Sequence, residues 1–279
     1  MSVSPVPSAS IAGMGAAFVI ALAASIAVFI YGRKKLHGRF TSSLFGAVVY
    51  YVVYKVLEPI VSATLIGFTG NLITGSLLMF SIFGALISAL FEEGAKLLAM
   101  RTLIKDVTEE DAFMYGAGAG IFEAFLLTIL PQVGNVLNSV LINSGIMEES
   151  LKMLEEPELT ETYNAIVPLW ETSSAAFWFA GFERIIMIAM CICLTLIMYY
   201  YIKRGDRRLL AFPFAAHFAV ICISTLLSKN AGIAVSGIAT LLMVAGIVYY
   251  TVTVRRSIHE PGSEYAAAPA AEDDHYLDL

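Results

Sequence analysis

The stretch FEEGAKLLAM, residues 91–100, sets two adjacent carboxylates and an ammonium inside a run that is otherwise apolar enough for lipid. The fold depends on whether Glu92, Glu93 and Lys96 belong to a membrane helix. Composition answers first. The 279 residues are 58% hydrophobic and only 14% charged, with a mean hydropathy of +0.77, far more apolar sequence than one water-soluble core requires. A helical span needs about 20 apolar residues, and seven can be drawn, at 11–31, 42–66, 73–97, 111–130, 172–202, 209–227 and 231–254. The expectation is an all-α, polytopic transmembrane helical bundle. ALAAS, inside the first span, looks like a leader-peptide cleavage site, but no Lys or Arg precedes that span and RKKLHGR follows it. An uncleaved anchor is the better reading.

Cytoplasmic loops carry the excess of Lys and Arg. RKKLHGR (33–39), Arg101 with Lys105, KRGDRR (203–208) and Arg255–Arg256 fall on one side of the seven spans, and the other side offers Lys152 and Lys229. This predicts an external N-terminus, residues 1–10, and a cytoplasmic C-terminus in a bacterial plasma membrane. Between the fourth and fifth spans an acidic external segment, 131–171, reads as a solvated amphipathic helix and loop. Residues 255–279 read as a disordered cytoplasmic tail, Ala/Pro-rich and acidic. The net charge of −6 comes largely from these two stretches and gives no reason to expect nucleic acid as a partner. Membrane lipid is the partner that composition implies. Cys191, Cys193 and Cys222 fall inside spans and read as packing residues, not as a disulfide or metal set. His259 and His275 are too isolated to argue for metal.

A charged side chain near the bilayer centre costs about 2.5–3.5 kcal/mol on insertion scales, so such residues face protein or water and have a purpose. Glu92, Glu93, Glu123, Glu183 and His217 stand out, with Lys96 and Arg184 beside them. In the third span Gly84, Ala85, Ser88, Ala89, Glu92, Ala95, Lys96 and Ala99 recur at helical spacing, a stripe of small side chains that admits a neighbouring helix. Glu92 and Lys96, four apart, are expected to pair, leaving Glu93, about 100° further round, as the more protonatable carboxyl. In the fourth span Gly116, Gly120 and Glu123 share a face, so the glycines are expected to clear space beside a carboxylate. At 1.5 Å per residue, His217 and Glu123 lie about 12 Å and about 17 Å from the cytoplasmic ends of their spans, and Glu92 and Glu93 within about 10 Å of that surface. All four can occupy the inner half of the bilayer. The structural alternatives are two interfacial ion pairs, Glu92/Lys96 and Glu183/Arg184, and a core histidine. Lys55 and Glu58, next to Pro59, read as a snorkelling pair near a helix break with no chemistry.

Four features in this order, EEGAK, YGAGAGIFEAF, FERIIMIAM and FAAHFAV, resemble the YhfC-type intramembrane metalloproteases, which belong with PrsW and the CAAX prenyl endopeptidases in one superfamily. The resemblance covers residues 40–250. It implies an intramembrane peptidase acting on a peptide or transmembrane protein. Glu92 or Glu93 would activate the attacking water. Glu123 and His217 would complete the site by binding a metal ion, zinc being the implied one, or by stabilising the oxyanion. Lys96, Glu183 and Arg184 would have supporting roles. Two positions depart from the pattern. Ala119 stands where a histidine is expected four residues before Glu123, and Ile221 where Asn or Asp is expected four residues after His217. Their loss keeps two other readings open, a catalytically silent scaffold of the same fold and a proton-coupled transporter relaying through Glu123, Glu183 and His217. Against the transporter, the sequence has no inverted repeat.

Overall fold

The computed structural model describes residues 3–259; the remainder of the tail, with His275, lies outside them. Among the described residues the regular structure is helical, and seven helices are long and apolar enough to cross a membrane. They are α1 Ser8–Lys34, α2 Phe40–Thr69, α3 Leu77–Thr102, α4 Glu109–Asn143, α5 Ser174–Arg204, α6 Arg207–Asn230 and α7 Ile233–His259. In lipid a spanning segment must satisfy its own backbone hydrogen bonds, which a helix does. This is an integral membrane protein.

The main boundary difference concerns α4, which continues past Pro131 to Asn143 instead of ending near 130. The reason lies just before the proline, where residues Phe125–Ile129 form a π-helical turn. Proline removes one N–H and crowds the preceding turn, and a wider i→i+5 turn absorbs both effects without ending the helix. The same solution recurs in α2, where a π turn at Val53–Leu57 precedes Pro59. At 35 residues α4 is about 50 Å long, well beyond an apolar core of about 30 Å.

The described chain divides into two compact units. The first comprises residues up to Ala27 with Glu123–Ile185, and the second Val28–Phe122 with residues 186–259. The first unit contains the segment between α4 and α5, folded into short helices Ile146–Leu151, Glu158–Ile166 and Pro168–Glu171. Leu151, Ile166 and Leu169 from these helices bury themselves with Val6, Met14, Ile142 and Phe177. Asn143 clamps the N-terminal segment, its Oδ1 accepting from the Val6 amide at 2.7 Å and its Nδ2 donating to the Val6 carbonyl at 3.0 Å.

In the second unit α6 packs against both α3 and α7. Its start is set by Asp206, whose side chain caps the helix by accepting from the Arg208 amide at 2.8 Å. The start of α4 carries a capping box, with Thr108 and Asp111 bonding each other's backbone N–H. Asp111 is buried, and it also accepts from Arg39 and Ser42, which ties the beginning of α2 to that of α4. The glycines of YGAGAG then set how closely α4 meets its neighbours. A Cβ at Gly118 would strike the Ser43 carbonyl of α2, and one at Gly116 or Gly120 would press on the α5 backbone at Ile192 or Ile188. The space expected beside Glu123 is therefore filled by helix packing at Gly116 and Gly120. Gly84 of α3, by contrast, has open space around it, so the close approach expected along α3 is made through Ala85, Ala89 and Ala99, which are buried.

Candidate active site

The α3 helix turns one narrow face inward, with Ala85, Ala89, Glu93, Lys96 and Met100 all buried. Helical spacing puts these residues in one row, so Glu93 and Lys96 leave lipid together. Glu93 is 0% exposed and Lys96 3%. Lys96 Nζ donates to Glu93 Oε1 at 2.5 Å. The expected pairing of Lys96 with Glu92 is thus replaced by an i, i+3 pair, because Lys96 and Glu93 share the buried face and Glu92 stands at its edge. Glu92 is half-buried, and its Oε1 accepts from the Ser88 hydroxyl at 3.2 Å.

The packing of α6 on α3 delivers His217 to the same carboxylate. His217 is buried, and its Nδ1 lies 2.7 Å from Glu93 Oε1; a carboxylate oxygen only accepts, so Nδ1–H donates. One oxygen of Glu93 therefore holds an ammonium and an imidazole. The other, Oε2, is buried and has no hydrogen-bond partner among the described residues. A carboxylate is ordinarily satisfied at both oxygens when buried, and an exception calls for a reason.

Beside this cluster is a narrow cleft of about 220 Å³, its open mouth included, between α2, α3 and α4. Gly46, Tyr50 and Val53 of α2, Glu92 and Lys96 of α3, and Tyr115 and Ala119 of α4 are among its walls. Val53 begins the π turn of α2, a kind of distortion that recurs at functional sites. Just past that turn stands Glu58, whose Oε2 is buried without a partner among the described residues. Its expected partner Lys55 instead lies over the Tyr54 ring, 5.0 Å from its centre. Sequence reasoning passed over Tyr115 as part of the cleft wall and gave Glu58 no chemistry. For Glu58 the signal was Pro59, which marked a helix irregularity. A π turn adds one residue to the turn and rotates everything after it by about 100°.

The first unit holds the other expected residues. Arg184 Nη1 donates to Glu123 Oε1 at 3.0 Å, and its Nη2 lies 3.4 Å from Glu183 Oε2. Glu123 and Arg184 are buried, while the Glu183 side chain is half-buried. The neighbours Glu183 and Arg184 thus form a pair, as their adjacency suggested, but Arg184 also serves Glu123. The three cysteines are buried, and none of them forms a disulfide among the described residues.

A helical membrane protein whose second unit buries a Glu–Lys–His cluster beside a cleft is of the class that can carry acid–base chemistry within the bilayer. The sequence matches the profile of the YhfC intramembrane metalloprotease family over residues 18–248, and the chain belongs to that family. It is 28% identical over 250 residues to the "Uncharacterized membrane protein YhfC" of Bacillus subtilis (strain 168), covering 85% of this chain and 93% of that protein. No solved structure matches it. These likenesses, with the seven apolar helices, place the protein in the bacterial plasma membrane.

The family's description implies a metal. Among the described residues, no three His, Cys, Asp or Glu side chains come together as a ligand set. The Glu93 oxygen that faces His217 also carries the Lys96 ammonium, a cation that competes with a metal for the same lone pairs. As arranged, this donor set does not fit a zinc centre, which takes four ligands with few charges to spare.

Proposed function

We propose that the protein is an intramembrane peptidase in which Glu93 activates water within the cytosolic half of the bilayer. The observation that carries this reading is the split carboxylate: Oε1 held by Lys96 and His217, Oε2 buried and free to accept. A base fixed at one oxygen keeps the other pointed in one direction, which is the positional requirement of general base catalysis.

The reaction is proton bookkeeping around one carboxylate. Water gives a proton to Glu93 Oε2, and its oxygen bonds to the peptide carbonyl carbon while the carbonyl electrons move onto oxygen. When the C=O re-forms the C–N bond breaks, and the leaving nitrogen takes the proton back from Glu93. The products are an acid and an amine, and Glu93 is restored. Lys96 and His217 hold the carboxylate in place throughout. Glu92 borders the cleft that would receive the peptide. Glu123, paired with Arg184, would be a second acidic residue of the reaction. The positive-inside pattern supports an external N-terminus and a cytoplasmic C-terminus.

A second reading, a silent scaffold, is favoured by one observation: Ala119, where the resemblance expects histidine, is part of the cleft wall. The two are separated by reconstituting the protein with a panel of quenched-fluorescent transmembrane peptides. The peptidase reading expects cleavage that Glu93→Gln abolishes and Glu123→Gln reduces, with both variants extracted as folded, monodisperse protein. Full cleavage by Glu93→Gln overturns the role given to Glu93, and no cleavage by the unaltered protein favours the scaffold.

A further inference from the structure

We infer that the second half of α2, Glu58–Thr69, is a gate that swings on the π turn before it and admits a membrane-spanning peptide sideways from the lipid to the cleft. The inference rests on the peptidase reading above and makes transmembrane segments its substrate class. The two halves of α2 are held very differently. The first buries Ser42, Ser43, Gly46 and Tyr50. It meets α4 backbone to backbone, since a Cβ at Gly46 would strike the Tyr115 carbonyl and one at Gly118 the Ser43 carbonyl. The second half has no buried residue among the described ones. Its least exposed face, Glu58, Val61, Ser62, Ile66 and Thr69, is only half-buried, and Phe68 is exposed. The Thr64 and Thr69 hydroxyls donate to carbonyls of their own helix. Helices in lipid are held together by close packing and interhelical hydrogen bonds, so a half-helix without a buried face has little to keep it in one place.

Both ends of this half allow movement. Val53–Leu57 forms the π turn, and such an interruption is a place where a helix bends. At the other end Gly70 has a φ of 55° and open space around it, a backbone state that glycine adopts without strain. The hinge is also at the cleft, because Val53, the first residue of the π turn, is the last wall residue that α2 contributes. Beyond it the half-helix continues that wall, so a swing there changes how far the cleft opens. Glu58 Oε2, just past the turn, is buried without a hydrogen-bond partner among the described residues. An unsatisfied buried oxygen is costly, and a swing that wets it recovers that cost. The closed arrangement is therefore one that the half-helix can leave.

The test uses the full chain in proteoliposomes, with Cys191, Cys193 and Cys222 replaced by alanine and nitroxide labels introduced in pairs. Thr64 on the second half of α2 and Val48 on the first are both exposed, and each is paired with exposed Leu98 of α3. The inference expects a broader distance distribution for 64–98 than for 48–98. It also expects the 64–98 distances alone to shift when a transmembrane peptide is added to the Glu93→Gln variant, which holds the peptide uncleaved. A second arm compares cleavage of a transmembrane peptide with that of a short water-soluble peptide of the same scissile sequence. Pro59→Ala, which lets α2 run as a regular helix, should slow the transmembrane peptide by about tenfold or more and leave the short one within about twofold of wild type. Equal distance distributions without a shift, or a Pro59→Ala effect on both peptides alike or on neither, overturns the inference and leaves the peptidase reading standing. If the unaltered protein cleaves neither peptide, the peptidase reading falls, and the gate as a substrate route falls with it.

Discussion

At the scale of single residues, the question is why lipid-bound helices tolerate Glu93 and Lys96. Each charge alone is expensive in the apolar interior; together, at 2.5 Å with His217 as a third partner, each satisfies the other. Breaking such a buried pair leaves an uncompensated charge, which costs about 3–5 kcal/mol. Lys96→Met should therefore destabilise the protein by that amount in SDS or thermal unfolding, and Lys96→Met with Glu93→Gln should recover most of the loss. If the double variant is no more stable than the single, the pair is not the source of the cost. The two polar i, i+3 and i, i+4 spacings of Lys96 were both legible in EEGAK. Which one forms was not, because it depends on which side of α3 meets α6, and that is a property of packing between helices distant in sequence.

At the scale of elements, the glycines of α4 show how the same residue type serves different ends. Gly118 is pressed against the Ser43 carbonyl, whereas Gly84 of α3 has open space around it. Gly118→Leu should force α2 and α4 apart and cost about 3 kcal/mol or more, since neither backbone can yield locally. Gly84→Ala should be neutral or stabilising by up to about 1 kcal/mol, from helix propensity alone. Thermal unfolding of the two variants checks both; equal effects would show that the close α2–α4 crossing is unimportant to stability. The spans themselves were readable from hydropathy to within a few residues. The π turns before Pro59 and Pro131 were not, since a proline in an apolar run reads equally as a break, a kink or an accommodated bulge. Only the neighbouring helices decide which.

At the scale of the whole molecule, the proposed orientation puts residues 1–10 outside and the end of α7 in the cytoplasm, and α1, α3, α5 and α7 each end in basic residues. The proposed orientation predicts that a fluorescent protein fused after His259 folds and fluoresces, while alkaline phosphatase fused there is inactive. The reverse result would invert the topology and move the Glu93 cluster to the outer half of the bilayer. Hydrophobic length, charge bias between loops and the placing of acids within apolar runs are all local properties of the chain, so the sequence by itself determined a seven-helix membrane protein and a short set of candidate polar residues. The tertiary structure decided that Glu93 rather than Glu92 takes Lys96 and His217, that Glu123 pairs with Arg184, and that Tyr115 is part of the cleft wall. Those outcomes depend on which helix faces meet, and a helix carries no record of its partner's rotation in its own periodicity.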